Sequence, residues 1–203
     1  MKNAPFNIEN VSRETLERLK QFEALLVKWN KAINLISKGE KEIWQRHIID
    51  SAQLLPLLKN NSTILTDLGS GAGFPGLILS YLGVENVHLV ESDGRKCAFL
   101  TEAARLSPGK ITIHHCRIEQ IEPWETHVIT ARALAPLSKL IEMASVFGNK
   151  PEQYLFLKGA QVRTELDEAA RQWKFDHQLH ASVTQTEGFI VELTNLSKRG
   201  SNE

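Results

Sequence analysis

Two acids and the glycines between them carry the most specific chemistry in this chain. Asp67 stands in the run Thr66-Asp67-Leu68-Gly69-Ser70-Gly71-Ala72-Gly73-Phe74-Pro75-Gly76, which follows the apolar pair Ile64-Leu65 and precedes Leu77-Ile78-Leu79. Strand, glycine-rich turn and helix in that order form the context of a nucleotide-type cofactor loop. Glycines there let the backbone turn at positive φ and bring bare N–H groups close to a ligand. The match to G-x-G-x-x-G admits a dinucleotide, but Asp67 sits where a pyrophosphate would also have to sit. Two like charges about 4 Å apart repel by about 1 kcal/mol in water and by several in a shielded cleft. An ammonium and a sulfonium suit the same carboxylate, so S-adenosylmethionine fits D-x-G-x-G-x-G better than NAD does.

Glu91 ends the next apolar run, Val87-His88-Leu89-Val90, 22 residues after Gly69. An acid at that place accepts hydrogen bonds from the two hydroxyls of an adenosine ribose. Arg117-Ile118-Glu119 follows the third strand, where a residue pair can flank adenine and meet its exocyclic amine. Arg132 closes the fourth strand, at the carboxyl edge where open α/β sheets bind ligands, and its guanidinium suits a carboxylate or a phosphate. Lys158, at the end of the fifth strand, is a second candidate phosphate contact.

The elements that must position these residues alternate. Strands are expected at 63–68, 87–91, 111–116, 127–132 and 153–158. Helices are expected at 75–82, 94–106, 118–122 (a short piece), 136–147 and 160–173, with breaks at Gly83, Pro108-Gly109, Pro123 and Gly148. A β-α repeat of this length implies a mostly parallel twisted sheet with helices on both faces. The runs 180–186 and 189–196, separated by Glu187-Gly188, read as an antiparallel hairpin closing it. Residues 1–60 read as a helical cap on the core formed by 61–203. Leu16, Leu19, Phe22, Leu25, Leu26, Trp29 and Ile33 make one apolar stripe. Ser37-Lys38-Gly39-Glu40 fits a capping box opening a second helix that Pro56 ends. Within that helix an Arg46–Asp50 pair at i, i+4 would brace the turn. The end of the chain, from Lys198, is polar and expected to fray.

Composition sets limits. The 203 residues hold 24 Lys and Arg against 24 Asp and Glu, so no overall positive field draws nucleic acid, although a local basic patch would. No apolar run reaches the roughly 18 residues of a membrane helix, and the Met1–Pro5 start lacks the core of a secretory signal. Two cysteines, Cys97 and Cys116, suit a reducing, cytoplasmic setting rather than a disulfide framework. His114-His115-Cys116 does not make a metal site, because neighbours on a strand face opposite ways and no second cluster completes the ligand set.

With these segments in place the chain resembles the bacterial RNA small-subunit methyltransferase G family, also called glucose-inhibited division protein B. The matching pieces are Lys28-Trp29-Asn30-Lys31-Ala32-Ile33-Asn34-Leu35, Arg46-His47-Ile48-Ile49-Asp50-Ser51, the glycine turn, Ala131-Arg132-Ala133 and Leu157-Lys158-Gly159. The resemblance implies a class I, Rossmann-like methyltransferase that moves a methyl group from S-adenosylmethionine to N7 of a guanine in 16S ribosomal RNA. Its partner would be that RNA or the small ribosomal subunit, and the protein would be a monomer. Carried over, the family's cofactor contacts fall on Gly69, Phe74, Ile118, Glu119 and Arg132, beside the Asp67, Gly71 and Glu91 read from the turn itself. Ala72 stands where the family often has proline, and Glu91 where it often has aspartate. Guanine N7 has an in-plane lone pair and loses no proton on attack, so no general base is expected, and none is visible. An Asn/Asp-Pro-Pro-aromatic motif for amino-group methylation is missing after strand four, and neither cysteine has a nucleophile's setting. An NAD-dependent oxidoreductase and a non-catalytic RNA- or ribosome-binding protein on the same fold remain the alternatives.

Overall fold

Ser12 starts the first helix of the computed structural model, which describes residues 8–148 and 151–200. Its hydroxyl accepts a hydrogen bond from Thr15 N at 3.2 Å, and α1 (Arg13–Asn30) follows. Leu19, Phe22 and Leu26 are buried along the expected stripe. The chain leaves the helix at Asn30, so Ile33 belongs to a loop. Two side chains fix that exit. Trp29 Nε1 donates to Glu102 Oε2 at 2.9 Å, tying α1 to α4 (Gly94–Ala104). Asn30 Oδ1 accepts from the N–H groups of Leu35 and Ile36, at 2.8 and 3.0 Å, and so shapes the loop after the helix.

The expected capping box does not form. Ser37 offers its carbonyl to Glu40 N, and the Glu40 carboxylate instead accepts from Glu42 N at 3.1 Å. The second helix therefore begins later, as a π-type turn over Trp44–Ile49 running into α2 (Asp50–Ala52). Arg46 does not brace Asp50 either: it pairs with Glu40 at 2.9 Å, and Asp50 is buried. The reading of the extreme N-terminus and the last residues of the polar tail lie outside the described residues. Within them the tail is more ordered than expected, because Lys198 still belongs to the last strand.

Five strands run parallel: β1 (Ile64–Leu68), β2 (Asn86–Glu91), β3 (Lys110–His115), β4 (Val128–Arg132) and β5 (Gln153–Lys158). Each lies within a residue or two of its expected place. β7 (Phe189–Lys198) joins β5 antiparallel and β6 (Trp173–Ala181) joins β7, giving the order β3-β2-β1-β4-β5-β7-β6. One face of the sheet is covered by α1, α3 (Gly76–Tyr81) and α4, through Leu65, Val87 and Leu89. The other is covered by α5 (Leu137–Ala144) and α6 (Val162–Ala169), through Ile129, Tyr154 and Val191.

The hairpin differs from the expectation in length. β6 starts at Trp173, where a helix was expected to end, and the connection occupies residues 182–188 rather than two. The alternation Trp173-Lys174-Phe175 marks the strand, with Trp173 6% exposed. The longer turn is held by Ser182, whose hydroxyl accepts from Thr184 N and Gln185 N, and whose N–H donates to Gly188 O.

Candidate functional site

β1 ends in the glycine turn, and three of its glycines take positive φ: Gly69 at 66°, Gly71 at 55° and Gly73 at 85°. A Cβ on Gly69 would lie 2.6 Å from Leu134 Cδ1, the end of a side chain that would have to turn aside. At Gly71 the nearest atom to an added Cβ is Gly69 O at 3.8 Å. Gly71 therefore faces open space at the cavity floor.

The turn uses its own N–H groups. Ser70 N donates to Val90 O, while Gly73 N and Phe74 N donate to Ser70 O. Gly71 N donates to Glu91 Oε2 at 2.9 Å. A pyrophosphate cradle needs such amides free and aimed at the ligand. Here those of Ser70, Gly71, Gly73 and Phe74 are taken, and a carboxylate lies against the loop. The arrangement disfavours a phosphate-bearing dinucleotide and fits an adenosine group that carries no phosphate.

Asp67 does not line the cavity. Its carboxylate is fully buried, with Oδ1 accepting from Thr130 Oγ1 at 2.9 Å and Oδ2 from Gly76 N at 3.3 Å. The expectation that it faces a cationic ligand is replaced by a structural role: it ties β1 to β4 and to the start of α3. Burial outweighs these hydrogen bonds and pushes its pKa up to about 7.

Glu91 closes β2 beside the turn. Its other oxygen, Oε1, accepts from Asp93 N at 2.8 Å. Both oxygens keep spare lone pairs toward the cavity, where ribose hydroxyls could donate. Ile118 and Glu119, on a 3₁₀ turn after β3, form the opposite wall with Cys116, Leu134 and Met143. That wall is apolar enough for a planar base, with one carboxylate at its rim.

Phe74, 7% exposed, carries the cap onto the site. Its ring meets Phe22 edge-on at 5.6 Å and stacks on the His47 imidazole at 5.1 Å. The Arg132 guanidinium lies 5.4 Å from the same ring. Arg132 also donates to His47 Nδ1 and lies 3.5 Å from Asp50 Oδ2. Burial, and then the adjacent Arg132 charge, push His47 down to about pKa 4, so near neutral pH it is an uncharged acceptor. Arg132 Nη1 has no hydrogen-bond partner; the Asp50 contact satisfies its charge but not that donor. Lys158 lies elsewhere. It is ion-paired with Glu165 at 2.6 Å and donates to Ala135 O at 2.9 Å, so its charge is met within the fold rather than offered to phosphate.

A cavity of about 760 Å³ brings together Gly69, Gly71, Phe74, Glu91, Ile118, Glu119 and Arg132, at the carboxyl ends of β1, β2 and β4. Its size falls in the range of sites that enclose a drug-sized ligand. The sequence reading missed the part of the wall formed by the loop Asn34–Lys38, and the rim residue Lys96. The spacing of Asn30 from Leu35 was the available signal for the loop; for Lys96 there was none.

A family model described as rRNA small subunit methyltransferase G matches residues 15–193, a span that contains every residue of this cavity. The chain is 48% identical over 189 residues to the ribosomal RNA small subunit methyltransferase G of Rhodospirillum rubrum, covering 93% of this chain and 94% of that protein. It is 43% identical to the protein of the same name from Rickettsia prowazekii, covering 93% and 98%.

The chain belongs to the rRNA small subunit methyltransferase G family.

Solved structures support the fold of the family member. Magnesium protoporphyrin IX methyltransferase from Synechocystis, solved with bound S-adenosylmethionine, superposes with a TM-score of 0.56 at 14% identity, over 93% of this chain and 99% of that one. A TehB-like methyltransferase from Corynebacterium glutamicum gives 0.55 at 17%, over 87% and 98%. The shared architecture is the class I methyltransferase sheet. The family's two N-terminal motifs have clear structural work here: Trp29 and Asn30 anchor the cap, and His47 and Asp50 hold Arg132.

Proposed function

We propose that this protein uses S-adenosylmethionine to methylate N7 of a guanine in 16S ribosomal RNA, acting as a monomer in the cytoplasm. The observation that carries the donor assignment is the Gly71 N–Glu91 Oε2 bond of 2.9 Å at the cavity floor. The bond supports that reading, because an acid there could accept from a ribose and the amide a phosphate would need is already taken.

The residues present fit the group: the turn leaves open space at Gly71, and Glu91 would hold the ribose hydroxyls, Ile118 and Glu119 the base, and Arg132 the amino-acid carboxylate. Bound there, S-adenosylmethionine supplies a methyl carbon made electrophilic by its sulfonium. The protein's own part is positioning and exclusion of water, since the accepting nitrogen brings its own lone pair and releases no proton. Lys38, Lys96 and Arg117 at the cavity rim are the cations placed to take RNA phosphate.

Titration calorimetry with S-adenosylmethionine and with NAD tests the donor; tight binding of NAD alone overturns it. Labelled-methyl transfer to small subunits and to free 16S RNA from a strain lacking the enzyme tests the acceptor. Chemical cleavage at 7-methylguanosine then locates the product. Cofactor binding without incorporation into either substrate would leave a non-catalytic ribosome-binding protein.

A further inference from the structure

A second cavity, of about 260 Å³, opens on the other side of Arg132 and Ala133, and those two residues line both. It is too small for a cofactor of the first cavity's size and lies between the cap, the end of β5 and the hairpin turn. Ala133 there holds φ at 50°, a left-handed conformation that a non-glycine residue adopts only when its surroundings impose it. The strained residue thus sits where the two cavities meet.

We propose that the smaller cavity receives the base to be methylated, a single guanine turned out of its RNA strand. This rests on the function proposed above. An enzyme that modifies a base removes it from the stack and reads it by edge hydrogen bonds and by contact with an apolar or aromatic side chain. The elements for that reading are present. Phe189, half-buried, lines the cavity and is its aromatic side chain. Guanine's Watson–Crick edge presents two donors, N1–H and the N2 amine, and two carboxylates line the cavity to accept them. Asp50 Oδ1 is taken by Gln53, Ser182 and Thr184, while Oδ2 faces only Arg132. Glu165 uses Oε2 for both Lys158 and Leu137 N, and its Oε1 has no hydrogen bond among the described residues. Adenine has an acceptor at N1, so the carboxylates select against it. The adjoining Hoogsteen edge of guanine, O6 and N7, would face the shared wall. Arg132 Nη1, the buried donor without a partner, matches O6 and leaves N7 to the donor cavity.

The base forms one N–C bond as the methyl's C–S electron pair returns to sulfur; it keeps its protons and gains one positive charge. Two carboxylates around it favour that charge as it develops.

Gly159 lines this cavity, has no positive φ, and an added Cβ would meet nothing within 4 Å. Neither backbone nor packing demands glycine there. Gly159→Leu should fill the cavity without disturbing the fold. Saturation-transfer NMR on protein saturated with S-adenosylhomocysteine, with guanosine and adenosine monophosphates as probes, reads the result. The unaltered protein should give a signal for the guanine nucleotide and not for the adenine one, and Gly159→Leu should lose it. Its affinity for S-adenosylmethionine should stay within about twofold, while methyl transfer to RNA falls by about 100-fold, the scale of a misplaced reactant. If Gly159→Leu lowers the melting temperature, Gly159→Ala should give a smaller loss of the same signal. Equal signals from both nucleotides, no guanine signal, or a signal unchanged by Gly159→Leu each overturn the proposal. A protein that binds the guanine nucleotide here yet methylates no ribosomal RNA would overturn the function proposed above instead.

Discussion

Asp50 Oδ2 lies 3.5 Å from Arg132 Nη1, and this ion pair joins the N-terminal cap to the end of the fourth strand. Both side chains are largely withdrawn from solvent, at 3% and 17% exposure. Removing the acid leaves a cation in a poorly solvated place. Asp50→Asn should destabilise the protein by about 3 kcal/mol in urea unfolding, in line with other broken buried pairs. A loss below about 1 kcal/mol would mean that water already solvates the guanidinium.

Asp67 sets a pH dependence. Burial raises its carboxyl from the ordinary 3.8 to about 7, so between those values the folded protein holds a proton that the unfolded chain releases. Stability from this group is full below pH 4, declines as pH rises by at most about 1.4 kcal/mol per unit, and is lost above pH 7. His47 and His88, both lowered to about 4 chiefly by burial, act in the opposite sense between pH 4 and 6.5. The difference between wild type and Asp67→Asn cancels the histidines. That difference should slope downward with pH to about 7 and then level off; a flat difference from pH 5 to 8 would contradict the burial argument.

Gly71→Asp separates the site from the fold. Aspartate tolerates left-handed φ better than most residues, and its Cβ meets nothing closer than 3.8 Å. The melting temperature should therefore fall only by a few degrees, for a strain of about 1 kcal/mol. The new carboxylate enters the cavity floor beside Glu91, and calorimetry should detect no S-adenosylmethionine binding. Unchanged affinity would remove the turn from the donor site.

Asn30→Ala addresses the loop the sequence did not reveal. Two backbone N–H groups lose their acceptor, which should cost roughly 1–2 kcal/mol of stability. The loop Asn34–Lys38 forms part of the cavity wall, so the affinity for S-adenosylmethionine should weaken roughly tenfold as its ordering is left to the ligand. Loss of stability with unchanged affinity would confine Asn30 to the cap.

The strands and the glycine turn could be read from sequence because their signals are local: apolar runs bounded by glycine and proline, with acids at the strand ends. Glu91 and Arg132 stand at the cavity for that reason. Asp67 was misassigned because burial depends on Thr130, 63 residues away, which reaches back to its carboxylate. Lys158 was read as a candidate phosphate contact because its partner, Glu165, lies on a following helix with no fixed spacing rule. The capping box failed for the opposite reason: the local pattern was present, but Arg46 and the Glu42 amide competed for Glu40 and delayed the helix. The start of β6 was hidden by an alternation shorter and more polar than a core strand's.

Thr184 Oγ1 donates to Asp50 Oδ1 at 2.6 Å across 134 residues. On the ribosome this clasp cannot close until Thr184 has been made and has left the exit tunnel. A nascent protein that already contains the glycine turn and both acids still lacks the hairpin donors that hold Asp50 against Arg132. Assembly of the site is thereby tied to synthesis of the hairpin.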